Sequence, residues 1–177
     1  MTFIIGLTGR QYAGKDTAAA VFEAEGFEHI KLAGPLKKMI DVLLECQGVD
    51  PETRQRMVEG DLKEVDTPFL GGRSPRYAMR TIGTEWGRDI MADDFWVGIF
   101  CRSASRFRDV VCSDVRFPNE AVAINHMIRI ERGSKAAVSH VSESHADSLP
   151  VDEVIINDCA SIEDFQAKVK AAWEAGK

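Results

Sequence analysis

Residues 9–17 read Gly9-Arg10-Gln11-Tyr12-Ala13-Gly14-Lys15-Asp16-Thr17. The first seven fit the pattern G-x-x-x-x-G-K-[ST]. In it, glycines let successive backbone N–H groups face one concavity, and the lysine reaches the outer phosphates of a bound anion. The flanks agree. The apolar, β-rich run "TFIIGL" (2–7) precedes the loop, and "KDTAAAVFEAEG" (15–26) has helical spacing and a glycine stop. Such a helix adds its positive N-terminal end to the loop. The eighth position departs from the pattern, because Asp16 stands where a serine or threonine hydroxyl ordinarily ligates Mg²⁺. A carboxylate is a competent ligand for the same hard cation, and Thr17 keeps a hydroxyl one residue on. The competing role for Asp16 is a helix-start acid that complements the dipole, and the two roles are compatible.

Outward from this loop, strands and helices alternate. "EHIKLAG" (28–34) reads as a second strand and "PLKKMIDVLLECQG" (35–48) as a helix with Pro35 in its first turn. "DPETRQRMVEGDLKEVD" (50–66) reads as an exposed, partly helical insertion, and "LGGRSP" (70–75) as a loop. Ser74-Pro75 opens a helix expected to run to about Met91, and "DDFWVGIFCRSASR" (93–106) continues as another. "DVVCSD", "MIRIER" and "VDEVIIND" read as strands, with a helix over "NEAVAINH" (119–126). Ser161 and Asp164 form a capping box for the last helix. Alternation of this kind implies an α/β fold with a parallel sheet covered on both faces, in one domain spanning 1–177.

The net charge of −6 argues against a general nucleic-acid binder, so any phosphate must be drawn by local arginines. No apolar run reaches membrane length and no leader pattern opens the chain, which reads as cytoplasmic with no membrane partner. Cys46, Cys101, Cys112 and Cys159 are scattered and read as reduced thiols, Cys101 and Cys112 in apolar surroundings and buried.

Arginines concentrate in the middle of the chain. Arg73, Arg76, Arg80 and Arg88 lie within "GGRSPRYAMRTIGTEWGRDI". On a helix from Ser74, Arg76 and Arg80 share a face and Arg88 lies about 80° round from Arg80. Guanidinium forks suit phosphate oxygens. The alternative is a solvated face paired with Glu85 and Asp89. Asp114 falls near the C-terminal end of the "DVVCSD" strand, the edge at which open parallel sheets bind ligands, with Arg116 just beyond. Their alternatives are Asp114 bonded to loop amides and Arg116 paired with Glu120. His140, Glu143, His145 and Asp147 in "HVSESHAD" match no zinc spacing and read as a polar loop. Trp86, Trp96 and Trp173 read as core or boundary residues, base stacking by Trp86 being the minor option.

Taken together, "GRQYAGKDTAA", "SPRYAMRTIGTEWGRDIMADDFW", "VVCSDVRFPNEA", "HVSE" and "IINDCASIEDF" resemble the phage-type deoxynucleoside monophosphate kinases. The resemblance runs from the first strand to the last helix and is weakest across 48–70. It implies a P-loop kinase fold with a parallel sheet of about five strands, a helical substrate-binding region over about 35–108 and a lid loop over about 132–150. It also implies transfer of the γ-phosphoryl of ATP, with Mg²⁺, to a deoxynucleoside 5′-monophosphate. Gly9, Ala13, Gly14, Lys15, Asp16 and Thr17 would hold the ATP phosphates, with Asp16 and Thr17 at the metal and Asn157 near the adenine. Arg10, Lys15, Asp16 and Arg116 would serve the transfer. Lys37, Arg76, Arg80, Arg88, Asp114 and Arg116 would bind the acceptor, and Arg132 would act from the lid. A homodimer is compatible with it, and a bacterial host's cytoplasm is implied if the gene is a phage's. The neighbouring readings are another small-molecule P-loop kinase, of phosphomevalonate or dephospho-coenzyme-A type, and a non-catalytic ATP-binding switch.

Overall fold

The computed structural model describes residues 1–132 and 148–176. Five strands form one parallel sheet: β1 (Phe3–Thr8), β2 (Glu28–His29), β3 (Asp109–Cys112), β4 (His126–Arg132) and β5 (Glu153–Asn157). Their spatial order is β2-β3-β1-β4-β5. The expected sheet of about five parallel strands, covered by helices, is what the chain forms.

β1 is central because its residues suit burial on both faces. Every residue from Ile4 to Thr8 is buried, as a near-continuous apolar run in a parallel sheet demands. The period of two then divides the core. Ile5 and Leu7 pack with Phe22 of α1 (Lys15–Ala24) and with Phe165 and Val169 of the last helix (Ile162–Ala175). Ile4 faces the other way, with Val110, Cys112 and Phe100. Phe22 and Phe165 are fully enclosed, and burial of such a ring contributes roughly 1.5–3 kcal/mol.

The chain divides into two compact units, residues 1–32 with 97–177, and residues 33–96. The first contains the whole sheet. The second is helical: α2 (Gly34–Glu45), α3 (Pro51–Val58), α4 (Pro75–Thr81) and a π-helical segment (Ile82–Met91), around a core of Ile40, Leu44, Val49, Met57, Val58 and Met79. Its starts are capped as the residue types foretell. Asp50 accepts from the Thr53 amide at 2.9 Å, and Ser74 Oγ accepts from the Tyr77 amide at 3.2 Å.

Several expectations need correction. The stretch 50–66 is more than an exposed insertion, because Met57 and Val58 of α3 enter the core. The strand expected over 28–34 is a strand only at Glu28–His29; the Ile30 amide still donates to Val111 O, and the Leu32 amide then donates to Asp114. The helix expected to run from Ser74 to Met91 is α-helical only to Thr81. Beyond that point the Trp96 indole packs against Gly87 and donates from Nε1 to the Gly83 carbonyl at 2.8 Å. A side chain on Gly87 would collide with that indole, and the carbonyl it occupies is one that an α-helical turn would use. The π-helical pairing is seen at the exit, where Ala92 N donates to Gly87 O. The 80° offset of Arg88 from Arg80, which assumes an α-helix, therefore does not hold. Cys101 is exposed, because the apolar stripe of α5 (Phe95–Ala104) runs through Phe100 and Ala104 and leaves its neighbour outside. The helix expected over 119–126 is a single turn, α6 (Pro118–Ala121). Among the described residues, no helix is long and apolar enough to cross a membrane.

Candidate phosphate-binding site

Strand order locates the site. From β1 the chain crosses to β2 at one edge, whereas from β3, beside β1, it crosses to β4 on the other side. The connections from the neighbouring strands β1 and β3 run in opposite directions, and the crevice at such a switch point is where open α/β sheets bind ligands. Loop 9–14 leaves β1 there, and Ser113 and Asp114 leave β3 there.

The loop turns through three left-handed positions. Gly9, Tyr12 and Gly14 all have positive φ, at 135°, 63° and 106°. At Gly14 a side chain is excluded twice over. The backbone is in a region that L-residues rarely adopt, and a Cβ would lie 2.7 Å from Asn157 Nδ2 and 3.1 Å from the Phe165 ring. Lys15 opens α1, and its Nζ donates to the carbonyls of Gly9 and Arg10, both at 2.7 Å. Two more side chains brace the loop from behind. Asn157 Nδ2, at the end of β5, donates to Ala13 O at 2.9 Å, and Arg132, at the end of β4, donates to Tyr12 O at 3.0 Å. Arg10 is exposed on the loop, and Thr17 is half-buried in the first turn of α1. Thr8 Oγ1 lies fully buried where β1 opens into the loop and has no hydrogen-bond partner among the described residues.

Asp16 is held from the side. Its Oδ1 accepts from Ser113 Oγ at 2.7 Å and lies 2.9 Å from Lys31 Nζ. Partial desolvation pulls its pKa up, but the Lys31 and Ser113 hydrogen bonds and the Lys31 charge outweigh this and hold it below the usual carboxylate value. His29 Nε2 meets Ser113 Oγ at 2.8 Å, and Nδ1 lies 3.6 Å from Glu23 Oε2. Desolvation, then the nearby Lys31 charge, keep His29 below the ordinary imidazole value. Neither Ser113 nor His29 was among the residues expected from sequence. Hydroxyls and imidazoles carry no spacing signal when their partners lie 97 and 84 residues away.

The remaining candidates resolve as follows. Asp114 Oδ1 accepts from the Leu32 amide at 2.8 Å and from Cys112 Sγ at 3.3 Å, joining the ends of β2 and β3. Burial, then the adjacent Asp114 charge, push the Cys112 thiol well up. Glu120 is buried and does not pair with the Arg116 guanidinium. Its Oε2 accepts from the Arg116 and Phe117 amides at 2.7 and 3.0 Å, shaping the turn that exposes Arg116. In the helical unit, Arg76 Nε donates to Glu64 at 2.7 Å and Lys37 pairs with Glu59 at 2.7 Å. The Arg73 and Arg80 guanidiniums lie over the Tyr77 ring, 5.1 and 5.4 Å from its centroid. Arg88 is half-buried on the π-helical segment. Trp86 and Trp96 form an aromatic cluster with Phe95, Trp96 buried and Trp86 partly exposed. Residues 140–147 and most of the expected lid lie outside the described residues, among which no cluster of metal-ligating side chains occurs.

No protein-family model and no curated protein sequence matches the chain. Among solved structures, TT1252 from Thermus thermophilus is similar over 98% of this chain and 97% of its own, with a TM-score of 0.54 and 17% identity. A dephospho-CoA kinase from Campylobacter jejuni aligns over the same shares with a TM-score of 0.49 and 15% identity. At 17% identity the first likeness is one of fold, and the chemistry has to be argued from the site.

Proposed function

We propose that this chain is a P-loop kinase that transfers the γ-phosphoryl group of ATP to a deoxynucleoside 5′-monophosphate, releasing ADP and the diphosphate. One observation carries this reading. A glycine-hinged loop, braced by Asn157 and Arg132, opens at the switch point of a parallel sheet and feeds a helix that begins with Lys15, Asp16 and Thr17. The residues fit a polyphosphate with its cation. Gly14 leaves no room for a Cβ, Thr8 has a buried hydroxyl with no partner among the described residues, and an ionised carboxylate and a hydroxyl stand side by side in the first turn of α1.

The protein's own task is alignment and charge neutralisation. Lys15, whose ammonium rests on two loop carbonyls, exchanges them for phosphate oxygens and neutralises the charge that builds up as the group transfers. Arg10 and Arg116, both exposed, serve the same charge. Asp16 and Thr17 would hold Mg²⁺, which when bound would supply charge neutralisation at the phosphates. The acceptor's phosphate has a second pKa of about 6 and is mostly dianionic near neutrality, so no general base is needed. Lys37, Arg76, Arg80 and Arg88, with Asp114 and Arg116, bind the acceptor. Asn157 would lie near the adenine, and Arg132, bonded to Tyr12 O of the loop, would act late in the reaction.

The test is ADP release measured against a panel of deoxynucleoside and ribonucleoside monophosphates, phosphomevalonate and dephospho-coenzyme A. Turnover stimulated by a deoxynucleotide is the expected result. Stimulation by another acceptor alone would reassign the substrate, and nucleotide binding without stimulated turnover would make the chain a switch.

A further inference from the structure

The Asp16 network has a direction. A hydroxyl carries one proton, and Ser113 Oγ lies 2.7 Å from an ionised carboxylate oxygen that can only accept. Ser113 therefore donates to Asp16 and has to accept from His29, which fixes the proton of the neutral imidazole on Nε2, 2.8 Å away. Nδ1, on the far side of the ring, lies toward Glu23. Lys31 Nζ meets the same Asp16 oxygen that Ser113 does. The hydrogen bond from Ser113 and the ion pair with Lys31 thus both fall on Oδ1.

We infer that His29 and Ser113 are positioning residues for the metal, a relay that pins Asp16 by one oxygen so that the other serves as a ligand of the phosphate-bound divalent cation. The inference rests on the phosphate-loop reading above and adds to it two residues from β2 and the end of β3. Groups that orient a metal ligand typically govern metal affinity by about ten- to a hundredfold without touching the ion. Lys31 supplies charge balance to the free carboxylate, but its flexible ammonium lacks the single bond direction of the hydroxyl.

The experiment is calorimetric titration of ADP into the full chain, with and without Mg²⁺, which needs no turnover. For Ser113→Ala, folded by circular dichroism, the metal-free ADP affinity should stay within about twofold of the parent. The additional affinity conferred by Mg²⁺ should fall about tenfold. Ser113→Thr keeps the hydroxyl and should restore it. His29→Gln offers an amide N–H in place of Nε2–H and should stay near the parent, whereas His29→Phe should match Ser113→Ala. Combining His29→Phe with Ser113→Ala should cost no more than either alone, since both break one relay. An unchanged Mg²⁺ dependence in folded Ser113→Ala, or additive losses in the double variant, would overturn the relay. If Ser113→Ala does not fold, the His29→Gln and His29→Phe pair decides: equal Mg²⁺ dependence in the two sinks the relay. A parent protein that binds no ADP under either condition would bring down the phosphate-loop reading, and the relay with it.

Discussion

The polar groups around the loop of the sheet unit and the arginines of the helical unit are tied differently. In the sheet unit, polar groups near the loop are tied across long stretches of chain: Ser113 to Asp16, Leu32 to Asp114, Asn157 to Ala13, Arg132 to Tyr12. The helical unit carries ion pairs open to solvent, Arg56 with Asp61 and Arg76 with Glu64, beside pairs whose cation is mostly buried, Arg54 with Asp41 and Lys37 with Glu59. Exposed pairs of that sort contribute about 0–1 kcal/mol and exchange easily for a ligand, whereas partly buried, cross-connected groups keep their geometry when a ligand arrives. On the proposed function, the comparison teaches a division of labour, in which the sheet would supply a prearranged phosphate end and the helices an adaptable arginine surface.

The heaviest blow to the prearranged end is Lys15→Ala. It should lower kcat at least a hundredfold, about 2.7 kcal/mol of transition-state stabilisation, while circular dichroism and the melting temperature stay close to the parent's. Near-normal turnover in a folded variant would remove the loop from the chemistry. Next comes Gly14→Ala, which forces a side chain into an unfavourable backbone region and against Asn157 and Phe165. A loss of about 1–3 kcal/mol in urea unfolding is expected, and an unchanged midpoint would mean that the loop is less rigid than its contacts imply.

On the adaptable side, Arg76→Ala, Arg88→Ala and Arg116→Ala should each raise KM for the monophosphate roughly tenfold, about 1.4 kcal/mol, with smaller effects on ATP. Glu64→Gln should move neither constant much, because the ion pair it breaks is exposed. Loss of ATP affinity alone in the arginine variants would put them on the wrong substrate. A smaller effect is expected from Trp96→Phe, which keeps an aromatic ring but loses the bond to Gly83; about 1 kcal/mol of stability should go, read by thermal unfolding. The mildest prediction concerns thiols. At pH 8, Cys46 and Cys101, both exposed, should react with a disulfide reagent in the native protein, and Cys112 should not, since its pKa is pushed up by burial. Rapid labelling of Cys112 would show that the sheet edge opens.

What the sequence alone determined is whatever depends on neighbours along the chain. The strand–loop–helix order around Gly9–Thr17, the caps at Ser74 and Ser161, and the parallel alternation of strands and helices all follow from composition, period and short spacings. Backbone preference and capping act within a few residues, so they leave a local record. Only the tertiary structure decided which polar side chains meet. Ser113 and His29 were invisible beside Asp16 because the strands that bring them there are far apart in sequence, and hydroxyls and imidazoles occur everywhere. The same holds for Trp96, whose indole meets the Gly83 carbonyl within a segment that is π-helical where an α-helix was expected. Glu120 is a third case, a carboxylate offered by the sequence only as an alternative partner for Arg116 and drawn inward by two backbone amides. Long-range hydrogen bonds are chosen by the packing of elements, because a buried polar group must find whatever donor or acceptor the fold puts within about 3 Å.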